Sequence, residues 1–189
     1  MKRLDDAYFE RIYADGHDPW GFESRWYEAR KYQLTMAALP RQRYRRAFEP
    51  GCAIGVLSAQ LAARCDALCA TEPMAAIVAR ARERLAPWPG AKVEVGALPE
   101  QWPEGRFDLV VASEVLYYLT EEGLDEVLAE MARRLEPGGH LVAVHWRLET
   151  DYPLTGDAVH ERLGAASFLE RRLSCSEREF RLEVFERAP

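Results

Sequence analysis

The sequence predicts an α/β fold built on a mostly parallel sheet, and three observations carry that expectation. From residue 46 onward, short apolar runs alternate with stretches of helical period, the pattern left by strands joined through crossover helices. Phe107-Asp108-Leu109-Val110-Val111-Ala112 holds four apolar residues in succession, as a strand covered on both faces does. The first run, Arg46–Glu49, opens onto a turn bracketed by Gly51 and Gly55, where backbone without a Cβ lets a ligand lie close.

Ahead of that core, residues 4–16 place Tyr8, Phe9, Ile12 and Tyr13 at helical spacing and predict a short amphipathic helix. Gly16-His17-Asp18-Pro19-Trp20-Gly21-Phe22 is turn-rich, and residues 24–38 predict a second helix that Pro40 ends. Trp20, Trp26 and Tyr27 in this leader fit two roles equally: packing on the domain edge, or an aromatic lid over the glycine turn.

Within the core, Arg46–Glu49 is the first strand, and Val56–Cys65 is a helix with Leu57, Leu61 and Ala62 on one face. Ala67–Thr71 is a second buried strand ending at Glu72-Pro73, and Met74–Leu85 a helix broken by Pro87-Trp88-Pro89-Gly90. Lys92–Val95 and Phe107–Ala112 are the third and fourth strands, and Ser113–Leu119 is a turn region. Thr120 caps a helix running to Leu135, with Leu124, Val127, Leu128 and Met131 in its apolar stripe and Pro137-Gly138-Gly139 as its stop. His140–His145 is the fifth strand, Arg147–Gly156 a loop and Asp157–Leu163 a short helix. The tail alternates as two antiparallel strands, Ser167–Leu173 and Glu179–Phe185, joined around Cys175–Arg178.

The totals set bounds. A length of 189 residues fits one domain with a sizeable core. A net charge of −6 argues against a nucleic-acid partner, and Arg41, Arg43, Arg45 and Arg46 read as a solvated connector. Cys65 and Cys69 stand at the spacing of one helical turn and, with Cys52 and Cys175, form no C-x-x-C pair. They read as apolar filler in a reducing compartment, and no metal site is expected. The start Met1-Lys2-Arg3-Leu4-Asp5-Asp6 lacks an apolar signal region, and no run reaches the length of a membrane span. A cytoplasmic protein, monomer or homodimer, without membrane or nucleic-acid partners is expected.

In an open α/β sheet, ligands bind beyond the carboxyl ends of the strands. Those ends carry Glu49-Pro50-Gly51, Glu72, Gly96-Ala97-Leu98, Ser113-Glu114 and His145-Trp146-Arg147. The acid at the second end suits a pair of ribose hydroxyls, and it follows Glu49 by 72 − 49 = 23 residues, close to the roughly 20 of nucleoside-binding units. A pyrophosphate in the turn would be repelled by Glu49, whereas a cationic amino group or sulfonium would be welcomed. Glu49 and the antiparallel tail favour S-adenosylmethionine over a nicotinamide dinucleotide. A nicotinamide-dependent oxidoreductase and a cofactor-binding, non-catalytic partner protein are the alternatives.

Glu49-x-Gly51-x-x-x-Gly55, Glu72, Phe107-Asp108-Leu109-Val110, Glu114-Val115-Leu116 and Leu135-x-Pro137-Gly138-Gly139 together resemble the class I S-adenosylmethionine-dependent methyltransferases. The closer likeness is to the nodulation protein S family, N-methyltransferases acting on a chitooligosaccharide amine. It is carried by Asp18-Pro19-Trp20, Trp26-Tyr27-Glu28-x-x-Lys31, Glu49-Pro50-Gly51-Cys52, His145-Trp146-Arg147 and Asp151-Tyr152-Pro153-Leu154-x-Gly156-Asp157-x-Val159-His160.

The resemblance implies a Rossmann-like, mostly parallel seven-stranded sheet with an antiparallel C-terminal pair and helices on both faces. Residues 1–40 would be a lid segment and 41–189 the core of a single methyltransferase domain. The activity implied is methyl transfer from S-adenosyl-L-methionine, leaving S-adenosyl-L-homocysteine, to a small-molecule acceptor such as an amine of a sugar or oligosaccharide. Glu49, Gly51, Cys52, Ala53 and Gly55 would surround the methionine part; Glu72 would hold the ribose; Pro73, Met74, Ala97 and Leu98 would meet the adenine. Ser113, Glu114, Val115 and Leu116 would form the floor beneath the sulfonium, with Trp20, Trp26 and Tyr27 closing over it.

Two positions depart from the family pattern: Ala53 replaces the middle glycine of the turn, and Gly96-Ala97 replace an acid after the third strand. Backbone contacts would then hold the adenine amino group.

An amine acceptor must be neutral to attack, and histidine is the natural base near pH 7. His145 at the fifth strand's end is the first candidate and His160 the second. Glu114, Asp151 and Asp157 are read as groups that orient the acceptor, and Tyr117, Tyr118, Trp146 and Arg147 as its pocket.

Overall fold

Asp108 shows how the first strand is set. In the computed structural model, which describes residues 2–14, 16 and 18–189, both its carboxylate oxygens accept backbone N–H groups, from Arg45 at 3.0 Å and Arg46 at 2.9 Å. The side chain is buried, so the pairing fixes the start of β1 (Tyr44–Pro50) against β4 (Phe107–Ser113). Asp108→Ala leaves two amides without an acceptor. We expect a loss of about 2–4 kcal/mol in unfolding free energy, measured by urea denaturation.

The remaining strands are β2 (Cys65–Glu72), β3 (Ala91–Val95), β5 (Leu135–Trp146), β6 (Leu169–Ser176) and β7 (Phe180–Arg187). The sheet has seven strands in the order β3-β2-β1-β4-β5-β7-β6. Strands β1 to β5 pair in parallel, while β7 runs antiparallel to β5 and β6 antiparallel to β7. The order reverses between β1 and β4, which opens a crevice at their carboxyl ends.

The helices are α1 (Asp6–Ala14), α2 (Trp26–Ala38), α3 (Val56–Ala62), α4 (Ala75–Leu85), α5 (Glu121–Arg134) and α6 (Gly156–Ala165). One sheet face packs with Tyr32, Leu57, Leu61, Val78 and Ala81 of α2, α3 and α4. The other packs with Leu124, Val127 and Met131 of α5 and Val159 and Leu163 of α6. Thr120 caps α5, its hydroxyl accepting the Gly123 N–H at 3.2 Å.

Three sequence expectations change. Helix α5 stops at Arg134 and the chain passes straight into β5, so Pro137-Gly138-Gly139 lies within the strand; the β4–β5 register shifts between Phe107 and Leu109 to accommodate it. Cys65 and Cys69 both stand in β2 rather than on one helix, and all four cysteines are free. The final hairpin turns at Glu177–Glu179, after a β6 that runs on through Cys175. Asp15 and His17, parts of the expected first helix and turn, lie outside the described residues, as does Met1.

Among the described residues no helix is long and apolar enough to cross a membrane, and no group of three or more His, Cys, Asp or Glu side chains is arranged to hold a metal ion.

Candidate active site

The turn after β1 is shaped by three residues with positive φ: Gly51 at 70°, Ala53 at 46° and Gly55 at 78°. A Cβ on Gly51 would lie 2.9 Å from Val115 Cγ2, and one on Gly55 3.3 Å from the Ala81 backbone of α4. Glycine is therefore needed twice, once for close approach to the 113–116 segment and once for helix packing. Ala53 tolerates the left-handed region because its amide is engaged: it donates to Glu72 Oε2 at 3.1 Å. Glu72 Oε1 accepts from the Met74 amide at 3.2 Å, so one carboxylate ties the turn to the mouth of α4.

Burial pushes the Glu72 carboxyl up to about 7, despite those two amide bonds. Burial acts more strongly on Glu49, which is pushed up to about 8. Its Oε2 is buried without a hydrogen-bond partner among the described residues. A carboxylate held in that state faces a cavity of about 280 Å³, near the low end of the ~300–1,000 Å³ typical of ligand pockets.

Most of the expected residues meet around this cavity. Its wall takes Glu49, Gly51, Cys52 and Ala53 from the turn, Glu72 and Pro73 from the end of β2, and Ala97 and Leu98 from beyond β3. Ser113, Glu114 and Val115 form a third side, with Tyr117, Tyr118 and Trp146 beside them. The leader closes the remainder through Trp20, Tyr27, Phe9 and Tyr13. It is fixed there by backbone bonds from Leu4 N to Tyr118 O at 2.9 Å and from Thr120 N to Lys2 O at 2.8 Å, and by ring contacts of Phe9 and Tyr8 on Tyr118.

Other expected residues do not line it. Trp26 opens α2 and is 71% exposed, so it is no part of a closed lid. Gly55, Met74 and Leu116 are not part of the wall, although Met74 contributes the amide that Glu72 binds. Arg147 and Asp157 hold each other, Nε to Oδ1 at 2.9 Å, and Arg147 also donates to Glu177 O at 2.8 Å; the pair anchors α6 to the final hairpin. Asp151 is exposed, while its neighbours Thr150 and Tyr152 reach the cavity.

His145 and His160 require the clearest correction. Both are fully buried and neither lines the cavity. His145 Nε2 accepts the Leu116 N–H at 3.2 Å, and burial, followed by the proximity of His160 and Lys31, holds its pKa well below the usual histidine range. In this geometry both imidazoles are turned to each other and to buried partners, not to the cavity.

What sequence reasoning missed is a cation. The buried residues of α2 are Glu28, Lys31, Tyr32 and Thr35, an i, i+3, i+4, i+7 stripe that is polar instead of apolar. Lys31 Nζ lies 2.6 Å from Glu114 Oε1, 3.0 Å from Glu28 Oε2, and 5.1 Å from the centre of the Tyr27 ring. Burial disfavours its charge, but Glu114 and Glu28 outweigh that and raise its pKa. Burial raises Glu28 in turn. Glu114, at φ 56°, also accepts the Tyr117 hydroxyl at 2.7 Å and the Trp146 amide at 2.8 Å. The Tyr27 hydroxyl is buried without a hydrogen-bond partner among the described residues. The sequence signal available was Glu28-x-x-Lys31 on the inward face of an otherwise aromatic helix.

A sheet in this order with a reversed last hairpin, a glycine turn after β1 and acids ending β1 and β2 defines the class I S-adenosylmethionine-dependent methyltransferase fold. The family model of nodulation protein S (NodS) matches residues 8–149, and the chain belongs to that family. NodS of Rhizobium tropici is 31% identical over 127 residues, 66% of this chain and 53% of that protein. The Sinorhizobium fredii relative is 28% identical over 127 residues, 66% of this chain and 59% of its own, so the chain spans little more than half the length of these relatives. The crystal structure of N-methyltransferase NodS from Bradyrhizobium japonicum WM9 in complex with S-adenosyl-L-homocysteine matches with a TM-score of 0.86 at 25% identity, covering 97% of this chain and 98% of that one. A Pseudomonas syringae protein described as a candidate methyltransferase matches at 47% identity and a TM-score of 0.77, covering 86% and 100%.

Proposed function

We propose that this chain transfers a methyl group from S-adenosyl-L-methionine to a small-molecule acceptor, and that the acceptor is an amine of a sugar or oligosaccharide; the N-methyltransferase it resembles supports an amine. The observation that carries the reading is Glu49. A buried carboxyl pushed up to about 8, with Oε2 lacking a hydrogen-bond partner among the described residues, gains from a cation at that oxygen, and the α-ammonium of the methionine moiety is such a group. Gly51 keeps the adjoining wall clear, and Glu72 at the end of β2 would accept the ribose hydroxyls in this reading. The cofactor supplies an electrophilic methyl group; the protein's part is to hold it in line with an acceptor, since alignment alone can contribute several kcal/mol.

On the acceptor side, Glu28, Lys31 and Glu114 carry a net charge of −2 + 1 = −1 when all are ionised. That balance suits an acceptor arriving as an ammonium, which must give up its proton before its nitrogen can attack. Tyr27, Tyr117, Tyr118 and Trp146 supply aromatic walls suited to an amine or to sugar C–H faces. Residues 1–40 act in this reading as the lid of one catalytic unit.

Titration calorimetry with S-adenosyl-L-methionine and S-adenosyl-L-homocysteine tests the cofactor; a parent protein that binds neither ends the proposal. Glu72→Ala should weaken both by about 10–100-fold, because it removes the ribose partner and frees the Ala53 and Met74 amides. Transfer of labelled methyl to glucosamine and to deacetylated chitooligosaccharides then tests the acceptor class.

A further inference from the structure

The two histidines that do not reach the cavity form a chain with one direction. Leu116 N–H can only donate, so His145 Nε2, at 3.2 Å, carries no proton. The neutral ring then bears its proton on Nδ1, which faces His160 Nε2 at 3.2 Å. His160 must accept there, which leaves its own proton on Nδ1, 2.8 Å from Glu183 Oε2. Each ring nitrogen thus has a defined role, and a second proton on either ring would set two N–H groups against each other.

The far end is firmly held. Glu183 is fully buried and accepts from Ser174 Oγ and an Arg181 nitrogen, each at 2.9 Å, with Arg171 Nε 3.2 Å away. Burial pushes this carboxyl up, yet the hydrogen bonds from His160, Arg181 and Ser174 prevail and hold it at about 2. It therefore stays an acceptor at any working pH.

The near end is a piece of the cavity wall. Leu116 follows Val115, which packs on Gly51, and precedes Tyr117, whose ring meets His145 at 5.2 Å and whose hydroxyl binds Glu114. Glu114 sits at positive φ, a strained conformation for a side-chain-bearing residue. A strained turn between two ligand surfaces needs a tether, and the Leu116 amide supplies it.

We propose that Glu183, His160 and His145 are positioning residues: a buried donor–acceptor relay that fixes the Leu116 amide and so holds Val115 beneath the cofactor and Glu114 and Tyr117 at the acceptor. The consequence for cofactor affinity rests on the methyltransferase reading; the relay itself does not.

Nitrogen NMR of the parent protein reads the relay without any variant. Both His145 and His160 are expected to carry their proton on Nδ1 and none on Nε2, and the Leu116 amide is expected to be strongly protected from exchange. An Nε2–H tautomer on His145 or His160 overturns the proposal. His160→Leu breaks the chain, whereas His160→Gln can restore it, its amide NH₂ donating to Glu183 and its carbonyl accepting from His145. At 15 °C, His160→Leu should bind S-adenosyl-L-homocysteine at least about tenfold more weakly, with the Leu116 amide exchanging at least about tenfold faster. His160→Gln should recover most of both. Unchanged Leu116 exchange in a folded His160→Leu sinks the relay; unchanged affinity with faster exchange sinks its positioning role. If the parent binds no cofactor, the functional reading fails, and the tautomers and Leu116 exchange still decide the relay.

Discussion

Glu49→Gln should weaken S-adenosyl-L-methionine binding by about 100-fold near pH 8 while making the ligand-free protein more stable there. The free-state carboxyl, pushed up to about 8 from an ordinary 4.5 by burial, has its folded pKa above its unfolded one. Its contribution to stability is fully present below the unfolded value and is lost as pH rises through the folded one. Between about pH 4.5 and 8 the parent should therefore lose about 1.4 kcal/mol per pH unit from this group alone. Glu72, raised to about 7, adds a second loss of the same sign. Glutamine has no proton to lose, so the variant's melting temperature should fall less steeply over that window.

Binding reverses the situation. An ammonium beside Glu49 stabilises its carboxylate, so at pH 7 the parent should release close to one proton on binding. Its affinity should rise by up to tenfold per pH unit from 6 toward 8, and then level off as the ligand's α-amino group, near 7.7–8.0, loses its own charge. The variant should show neither proton release nor that slope. Calorimetry at pH 7 in two buffers of different ionisation heat reads the proton count directly; an equal count for parent and variant removes Glu49 from the cofactor site.

The parts of this site that were legible in the sequence are those fixed by topology. Glu49, Gly51 and Glu72 follow from where buried strands end, because a parallel sheet delivers its carboxyl ends to one crevice. The histidines were misjudged through strand parity. In β5, Val142 and Val144 pack on the α3–α4 face, while Leu141 and Ala143 pack on the face covered by α5 and α6. His145 continues the second set, and it points under α6 because β5 runs on to Trp146 before it ends. Glu183 lies opposite Ala143 in the antiparallel register of β7, which sequence cannot show without the pairing. Trp26 and Tyr27 are adjacent, so on a helix they cannot both face inward at one spot; the structure buries the Tyr27 hydroxyl and leaves Trp26 in solvent. Lys31 escaped because hydrophobic periodicity scores a lysine as outward, whatever its partners.

Lys31→Met is the second large effect. The ammonium is only 2% exposed and stands between two carboxylates, Glu28 and Glu114. Removing it leaves the buried Glu28 and the part-buried Glu114 facing each other without a cation, a loss of about 3–5 kcal/mol when both are ionised. There is an escape: Glu28, whose carboxyl burial already raises, can take up a proton once the ammonium is gone. The penalty should then depend on pH, close to its full size at pH 8 and much smaller at pH 5, where protonation relieves the repulsion. In the parent, Lys31 is held above its ordinary pKa, so its contribution persists until alkaline pH and the same window should be flat for this group. Glu114→Gln in the Lys31→Met background should recover part of the loss, because one charge is gone, although the Tyr117 and Trp146 hydrogen bonds must then be shared with an amide. Urea unfolding of the four proteins of this cycle at pH 5 and 8 measures the coupling. A cost below about 1 kcal/mol at pH 8 would place the cluster in the class of solvated ion pairs. A large cost that shrinks at pH 5 marks it as a buried charge cluster whose negative charges need the Lys31 ammonium.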